Sequence, residues 1–268
     1  MDSPWRAPLS QHCLWNRRLV DRLVRASSLS QPDTVLEIGP GRGILTQALL
    51  RAAARVIAIE IDPRLCRYLR GHFGHDPRFT LVQGDCLTQP LPPAPFKVFA
   101  NLPFRHTSAI LHKLLEAPQP PSDCYLIVQR EAAQKWCPRA ADNALVALLN
   151  YPWWEAAIVH LFKRSDFDPP PSVDSVLLRC HQRPLPLLAP HWRTLYQDFI
   201  AHRFERDRRV KELSPEQLLQ AFRSQAQTAH PARRRAFHGA YGRLLAQQRR
   251  LSKIHRTRTD PNWKRFRR

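Results

Sequence analysis

The sequence predicts an α/β fold: a mainly parallel sheet with helices on both faces, followed by a small all-helical domain. Three observations carry this expectation. From residue 34 to about 131, short β-rich runs alternate with amphipathic helical stretches, the signature of successive strand-helix-strand units. Three glycines directly follow the first of those runs. Beyond residue 184 the alternation stops and only helical periodicity continues.

In chain order, TVLEIG (34–39) reads as a strand and ILTQALLRAAA (44–54) as a helix, followed by the strand RVIAIEID and the helix PRLCRYLRGHF. Next come the strands FTLVQGD and FKVFANLP, the helix TSAILHKLLEA and the strand DCYLIVQRE. A helix-like NALVALLNY precedes two more β-rich runs, EAAIVHLF and DSVLLRCH, joined by KRSDFDPPPSV. Three consecutive prolines make that joint extended and stiff. The helical region then reads as WRTLYQDFIAHRF, PEQLLQAFRSQ and ARRRAFHGAYGRLLAQQ. The expected domains are therefore 1–183 and 184–250, with 251–268 a basic, flexible tail.

Composition narrows the partners. The 268 residues carry a formal charge of +20 with a pI near 10.9, which points to a polyanion. Residues 181–268 hold 21 Lys and Arg against 6 Asp and Glu, whereas 1–180 hold 21 against 16. The surplus thus sits in the C-terminal third. No run approaches the roughly 18 apolar residues of a membrane span, and MDSPWRAPLSQ lacks the order of a signal peptide. A cytoplasmic protein without a membrane partner is expected. The six cysteines show no C-x-x-C pair and no zinc spacing, so they are expected to be reduced and no metal is expected.

Ligands of open α/β sheets bind beyond the carboxyl ends of the strands. Gly39, Gly41 and Gly43 stand there after the first strand, baring backbone to a nucleotide-like ligand. Ile44 occupies the third glycine position of the G-x-G-x-x-G dinucleotide fingerprint. Glu60 ends the second strand, placed either to accept both ribose hydroxyls or to face solvent. Asp85 closes the third, placed either to accept from an adenine amino group or to cap its own turn. Together the three describe an adenosine-bearing cofactor. The fourth strand ends in ANLPF: Asn101 offers a side-chain carbonyl, Leu102 a backbone carbonyl, Pro103 stiffens the turn and Phe104 offers an aromatic face. Two acceptors beside a ring suit an exocyclic amino group on a planar base.

EIGPGRGILT, AIEID, GDCL, NLPF, VQREAA and FDPPPSVDS, in this order, resemble the S-adenosylmethionine-dependent rRNA adenine N6-methyltransferases, over roughly residues 9–183. Within them the sequence is most similar to the Erm enzymes, which modify 23S rRNA and confer macrolide, lincosamide and streptogramin B resistance. The resemblance implies a Rossmann-like class I methyltransferase sheet. It implies that Glu37, Gly39, Gly41, Gly43, Glu60, Ile61, Asp85, Cys86 and Asn101 hold S-adenosylmethionine, with Gln11, His12 and Leu14 over its methionine end. His12 and Cys13 replace the Asn and Phe usual in the family, which sets that end apart. Asn101, Leu102, Pro103 and Phe104 would form the catalytic turn. RNA contacts are expected at Arg105, Arg206, Arg208, Arg209, Lys211, Arg233, Arg234 and Arg235, with 23S rRNA as substrate and the enzyme a monomer.

Three alternatives stand beside this. A small-subunit rRNA dimethyltransferase shares the cofactor and the NLPF chemistry but usually has a longer segment, containing tyrosine and glycine, after QREAA; here QKWCPRAADNALVALL is short. A non-catalytic nucleic-acid-binding relative conflicts with the intact glycine and NLPF motifs. A nicotinamide oxidoreductase conflicts with the glycine spacing.

Overall fold

The computed structural model describes residues 12–93, 95–139, 143–228 and 237–255. Its strands in chain order are β1 (Cys13–Leu14), β2 (Thr34–Ile38), β3 (Arg55–Glu60), β4 (Phe79–Gln83), β5 (Lys97–Asn101), β6 (Asp123–Gln129), β7 (Trp154–Leu161), β8 (Phe167–Asp168) and β9 (Ser175–Gln182). Seven of them form one sheet in the order β4-β3-β2-β5-β6-β9-β7. β2 to β6 run parallel, and β9 lies antiparallel between β6 and β7. The order reverses at β2, with β3 on one side and β5 on the other, which opens a crevice at the carboxyl ends of β2 and β5.

Four helices precede or separate the parallel strands β2 to β6: α1 (Arg17–Arg25), α2 (Ile44–Ala52), α3 (Pro63–Phe73) and α4 (Thr107–Leu115). α1 lies ahead of the alternating region and begins where Asn16 Oδ1 accepts from Leu19 N at 3.1 Å. Its Leu19, Val20, Leu23 and Val24 join α2 against one face of the sheet, with Val35, Val56, Phe99, Tyr125 and Ile127. Alternate residues on the opposite face, Leu36, Ile59, Val98 and Leu126, are buried as well, as a sheet covered on both faces requires. α3 starts at Pro63, with Asp62 Oδ1 accepting from Arg64 N at 2.8 Å. β6 ends at Gln129, two residues earlier than its apolar run suggests, because the chain turns directly into α5 (Arg130–Trp136).

The chain divides into two compact units, 1–137 with 154–184, and 138–153 with 185–268. Residues 138–153 thus join the helical unit instead of the sheet unit in which a cut at residue 183 leaves them. Their helix α6 (Leu145–Asn150) buries Ala147, Leu148 and Leu149 beside α7 (Arg193–Arg206). Tyr196 Oη donates to Leu148 O at 3.1 Å, and Trp153 Nε1 to Leu188 O at 3.0 Å. An apolar helix bounded by a loop can leave one unit and return to it, and chain order alone does not reveal that excursion.

Within the second unit Tyr196, Phe199 and Phe222, the last on α8 (Pro215–Thr228), form an edge-to-face cluster at 5.2 and 5.5 Å. α9 (Ala240–His255) starts after Gly239, and buried Asp198 accepts from Gly239 N at 2.7 Å and Tyr241 N at 3.0 Å. The acid on one helix thereby caps the next. α9 continues to His255, so the first five residues of the basic segment expected to be flexible are helical. Among the described residues no helix is long and apolar enough to cross a membrane.

Candidate active site

The glycine loop crosses the crevice at the end of β2. Gly39, Gly41 and Gly43 have φ of +67°, +58° and +76°, which side chains disfavour. Gly39 N donates to Ile59 O at 2.9 Å, and a Cβ there would meet Asn101 O at 3.9 Å. The loop thereby joins the ends of β2, β3 and β5. A Cβ on Gly43 would sit 2.4 Å from Phe73 Cε2, whereas one on Gly41 would point into open space. Gly43 packs α2 against α3, and Gly41 faces the ligand side.

Two buried acids support the loop. Glu37, 1% exposed, accepts from Thr46 Oγ1 at 2.7 Å, which ties β2 to α2. Burial pushes its carboxyl up to about 8, against the opposing effect of the Thr46 hydrogen bond. Glu60 is equally buried. Its Oε1 accepts from Ile61 N at 2.8 Å and Asp62 N at 3.0 Å, and its Oε2 from Gly41 N at 3.2 Å. Burial raises its pKa, and those three backbone donors work in the opposite direction. Of roughly four lone-pair positions on a carboxylate, Glu60 already uses three. Both hydroxyls of a ribose could be accepted only by exchanging a bond, and the 3.2 Å contact to Gly41 is the longest of them.

Asp85 and its neighbours close the third strand end. Asp85 Oδ1 accepts from Leu87 N at 2.8 Å, so one of its oxygens caps its own turn. Burial, with the charge of Asp85, pushes the Cys86 thiol up to about 11; it is a neutral packing group. Ile61 is 53% exposed despite its size, an apolar surface beside Glu60 on which a purine can lie.

At the end of β5, Asn101 Nδ2 donates to His12 O at 2.9 Å. That bond orients the amide and leaves Oδ1 as its accepting end. Leu102 is buried, with its N–H bound to Ile127 O at 3.1 Å, and Pro103 O accepts from His106 N at 2.9 Å. The half-buried Phe104 ring lies 5.7 Å from the His12 ring. His12 is held in turn by its Nδ1 contact to Pro169 O at 2.8 Å, while β1 pairs antiparallel with β8, Cys13 opposite Asp168. The stretch HCL and the stretch FDPPP therefore form one strap over the catalytic turn. Burial raises the Cys13 thiol, with the charge of Arg42 acting in the opposite direction. Leu14 is 5% exposed and belongs to the core.

The expected cofactor and catalytic residues Glu37, Gly39, Gly41, Gly43, Glu60, Ile61, Asp85, Cys86, Asn101, Leu102, Pro103 and Phe104 thus all lie at the carboxyl ends of β2 to β5. Thr46, the strap pairing and the His12 carbonyl are additions that spacing did not flag. Arg105 is exposed beside Phe104, and Arg206, Arg209 and Lys211 are exposed in the helical unit. Gln11, Arg233, Arg234 and Arg235, with residues 256–268, lie outside the described residues.

The profile of the family described as ribosomal RNA adenine dimethylase matches residues 4–234. This chain belongs to the ribosomal RNA adenine dimethylase family. Ribosomal RNA small subunit methyltransferase A of Synechococcus sp. (strain JA-3-3Ab) is 39% identical over 213 residues, covering 74% of this chain and 76% of that protein. The protein of the same name from Synechococcus elongatus is 35% identical over 240 residues, 82% of this chain and 86% of that one. Among solved structures, the 23S rRNA methyltransferase ErmE matches with a TM-score of 0.70 at 30% identity, covering 78% of this chain and 98% of that chain. A dimethyladenosine transferase from Plasmodium falciparum matches with a TM-score of 0.66 at 26% identity, covering 73% and 71%.

As an rRNA adenine dimethylase family member, the chain is an S-adenosylmethionine-dependent enzyme that methylates rRNA adenine. Its residues suit that donor: open space at Gly41, acceptors at Glu60 and Asp85, and the exposed face of Ile61. The narrower Erm assignment does not follow from family membership. Relatives named for the small subunit align over as much as 82% of this chain.

Proposed function

We propose that this enzyme transfers methyl groups from S-adenosylmethionine to N6 of adenosine in small-subunit rRNA, adding two to each target. The observation that carries the chemistry is the Asn101 amide, held at Nδ2 by His12 O with Oδ1 as its accepting end, next to the glycine loop. The small-subunit target is supported by the names of the curated relatives.

Asn101 Oδ1 and the Leu102 carbonyl accept the two N6 protons of a flipped adenine, and Phe104 stacks on its ring. Holding both protons aims the nitrogen lone pair along one direction. The bound donor supplies an electrophilic methyl on a sulfonium leaving group. As the N–CH₃ bond forms and the S–CH₃ bond breaks, one N6 proton becomes acidic and leaves for solvent, so no strong base is required. The chain's contribution is alignment and exclusion of water; alignment alone is worth on the order of 7–11 kcal/mol in favourable cases. Extruding the base costs a few kcal/mol, less from a loop than from a duplex. Arg105, Arg206, Arg208, Arg209, Lys211 and the arginines 233–235 hold RNA phosphates in this reading, the second unit acting as the RNA-binding domain.

A second reading, the 23S rRNA methyltransferase of Erm type, is supported by the likeness to ErmE over 98% of that chain. Primer extension along 16S and 23S rRNA, after incubating each with protein and S-adenosylmethionine, separates the two. Stops at adenosines of 16S rRNA alone are expected. A stop in 23S rRNA with macrolide resistance in a sensitive host would instead establish the Erm reading, and modification of neither would refute both.

A further inference from the structure

Outside the catalytic turn, α1 carries a charged face that the reaction does not use. Arg18, Arg22 and Arg25 recur at the spacing i, i+4, i+7, which puts them on one side of the helix. All three are exposed, opposite the buried Leu19, Val20, Leu23 and Val24. The one acid of the helix, Asp21, is bound to Arg51. Arg17 and Arg18 lie in the first turn, which holds no acid, where the helix dipole disfavours cations. Arg22 and Arg25 lie in the last turn, where the dipole favours cations, so helix stability accounts for those two but not for Arg18.

Ahead of the helix, three positions before Arg18 and one before the Asn16 cap, stands Trp15. Its ring is 60% exposed, yet it is fixed in place, because Nε1 donates to Ser165 O at 2.7 Å and its backbone N–H to Asp166 O at 3.2 Å. Beside it is a shallow cavity of about 500 Å³ lined by Trp15, Ser165, Phe167, Asp168 and Pro170. A rigid exposed aromatic next to a row of cations is the combination that binds single-stranded nucleic acid: bases stack on the ring and phosphates follow the charges. The Asp168 carboxylate in the cavity repels phosphate and can accept from a base amino group, so base and backbone are assigned to different ends of the surface.

We propose that Trp15 and the Arg18–Arg22–Arg25 face of α1 form a track for the single-stranded RNA flanking the target adenosine, the neighbouring base stacking on Trp15. This rests on the rRNA reading above. Trp15 is three residues from His12, whose carbonyl orients Asn101, so the track begins at the catalytic turn. From Arg18 to Arg25 the helix rises about 10 Å, the length of about three stacked nucleotides at ~3.4 Å each.

The test measures binding of a short fluorescein-labelled single-stranded RNA of mixed sequence to the full chain across a series of salt concentrations. Arg18→Gln, Arg22→Gln and Arg25→Gln together should lower the salt slope by about 2, three phosphates at ~0.7 each. Trp15→Ala should weaken binding about tenfold, and Trp15→Phe should restore most of the loss because a stacking face remains. The thermal midpoint of the arginine variant and the affinity of every variant for S-adenosylmethionine should stay at their wild-type values. An unchanged slope and unchanged affinity in folded variants would overturn the track. So would loss of binding to phosphatidylcholine–phosphatidylserine vesicles with RNA binding intact, which would make the face a membrane contact. A wild-type chain that modifies neither rRNA but shows these RNA effects would refute the proposed function and leave the track standing.

Discussion

Asn101 donates its Nδ2 to the carbonyl of His12 at 2.9 Å across 89 positions of sequence. The amide is thereby oriented by a segment outside the seven-stranded sheet, and under the proposed function its oxygen is the end offered to substrate. Asn101→Ala should reduce methyl transfer by at least about 10²-fold, the scale for removing one positioned polar group, while the dissociation constant for S-adenosylmethionine changes little. Asn101→Asp should be as inactive, because it replaces the donor to His12 O with a second acceptor. Transfer of radiolabelled methyl to rRNA, beside calorimetric binding of the cofactor, checks both.

Glu37 gives the fold a pH dependence of defined sign. Its carboxyl moves from an ordinary value of 4.5 to about 8 in the folded state through burial. The folded chain therefore holds a proton that the unfolded chain has lost, and stability from this group falls as pH rises from about 4.5 to about 8, then levels off. Glu37→Gln keeps the neutral shape and removes the titration. Its thermal midpoint should match wild type near pH 4.5 and exceed it near pH 9, the difference being of order a few kcal/mol at most. Parallel pH profiles of the two proteins would count against the buried acid.

Glu60 accepts from three backbone N–H groups, so its neutral amide analogue is not a mild change. Glu60→Gln turns one acceptor oxygen into an NH₂ that faces backbone donors. A loss of roughly 1–3 kcal/mol of stability is expected, together with weaker S-adenosylmethionine binding. Glu60→Ala should weaken the cofactor as well and leave those N–H groups to water. Denaturant titration and cofactor binding measured on the same preparations read the two effects separately.

Gly43 and Gly41 should respond differently to alanine. A methyl at Gly43 would collide with Phe73, whereas at Gly41 only the positive φ resists it. Gly41→Ala should cost about 1 kcal/mol from backbone conformation alone. Gly43→Ala should cost more, adding the overpacking penalty of roughly 1–3 kcal/mol, and Phe73→Leu in the Gly43→Ala background should recover part of it. Chemical denaturation of the four proteins measures each step.

The sheet and most of the site were legible because every strand from β2 to β6 is an apolar run that ends in a polar or glycine residue. Glu37, Glu60, Asp85 and Asn101 announce themselves by standing at those ends. α1 was equally open to reading, from Leu19, Val20, Leu23 and Val24 at helical spacing behind Asn16, but it lies before the alternating region. The strap was not legible, because two strands of two residues each carry no periodicity. Nor was α6 in the helical unit, since an apolar helix reads alike whichever core it joins. The choice between rRNA substrates escaped spacing altogether: in the proposed function the turn at Asn101 serves an adenine, and the surrounding RNA would be met by surfaces with no fixed sequence pattern.

The pairing of Cys13 with Asp168 also bears on when the enzyme comes into being during its own synthesis. The amide of Asn101 depends on a strap whose second half is made about 155 residues after the first, and contacts so distant in sequence form late. A chain released after β6 could hold its five parallel strands yet present Asn101 without the carbonyl that aligns it. A nascent chain would therefore acquire that alignment only once the segment through Asp168 has emerged.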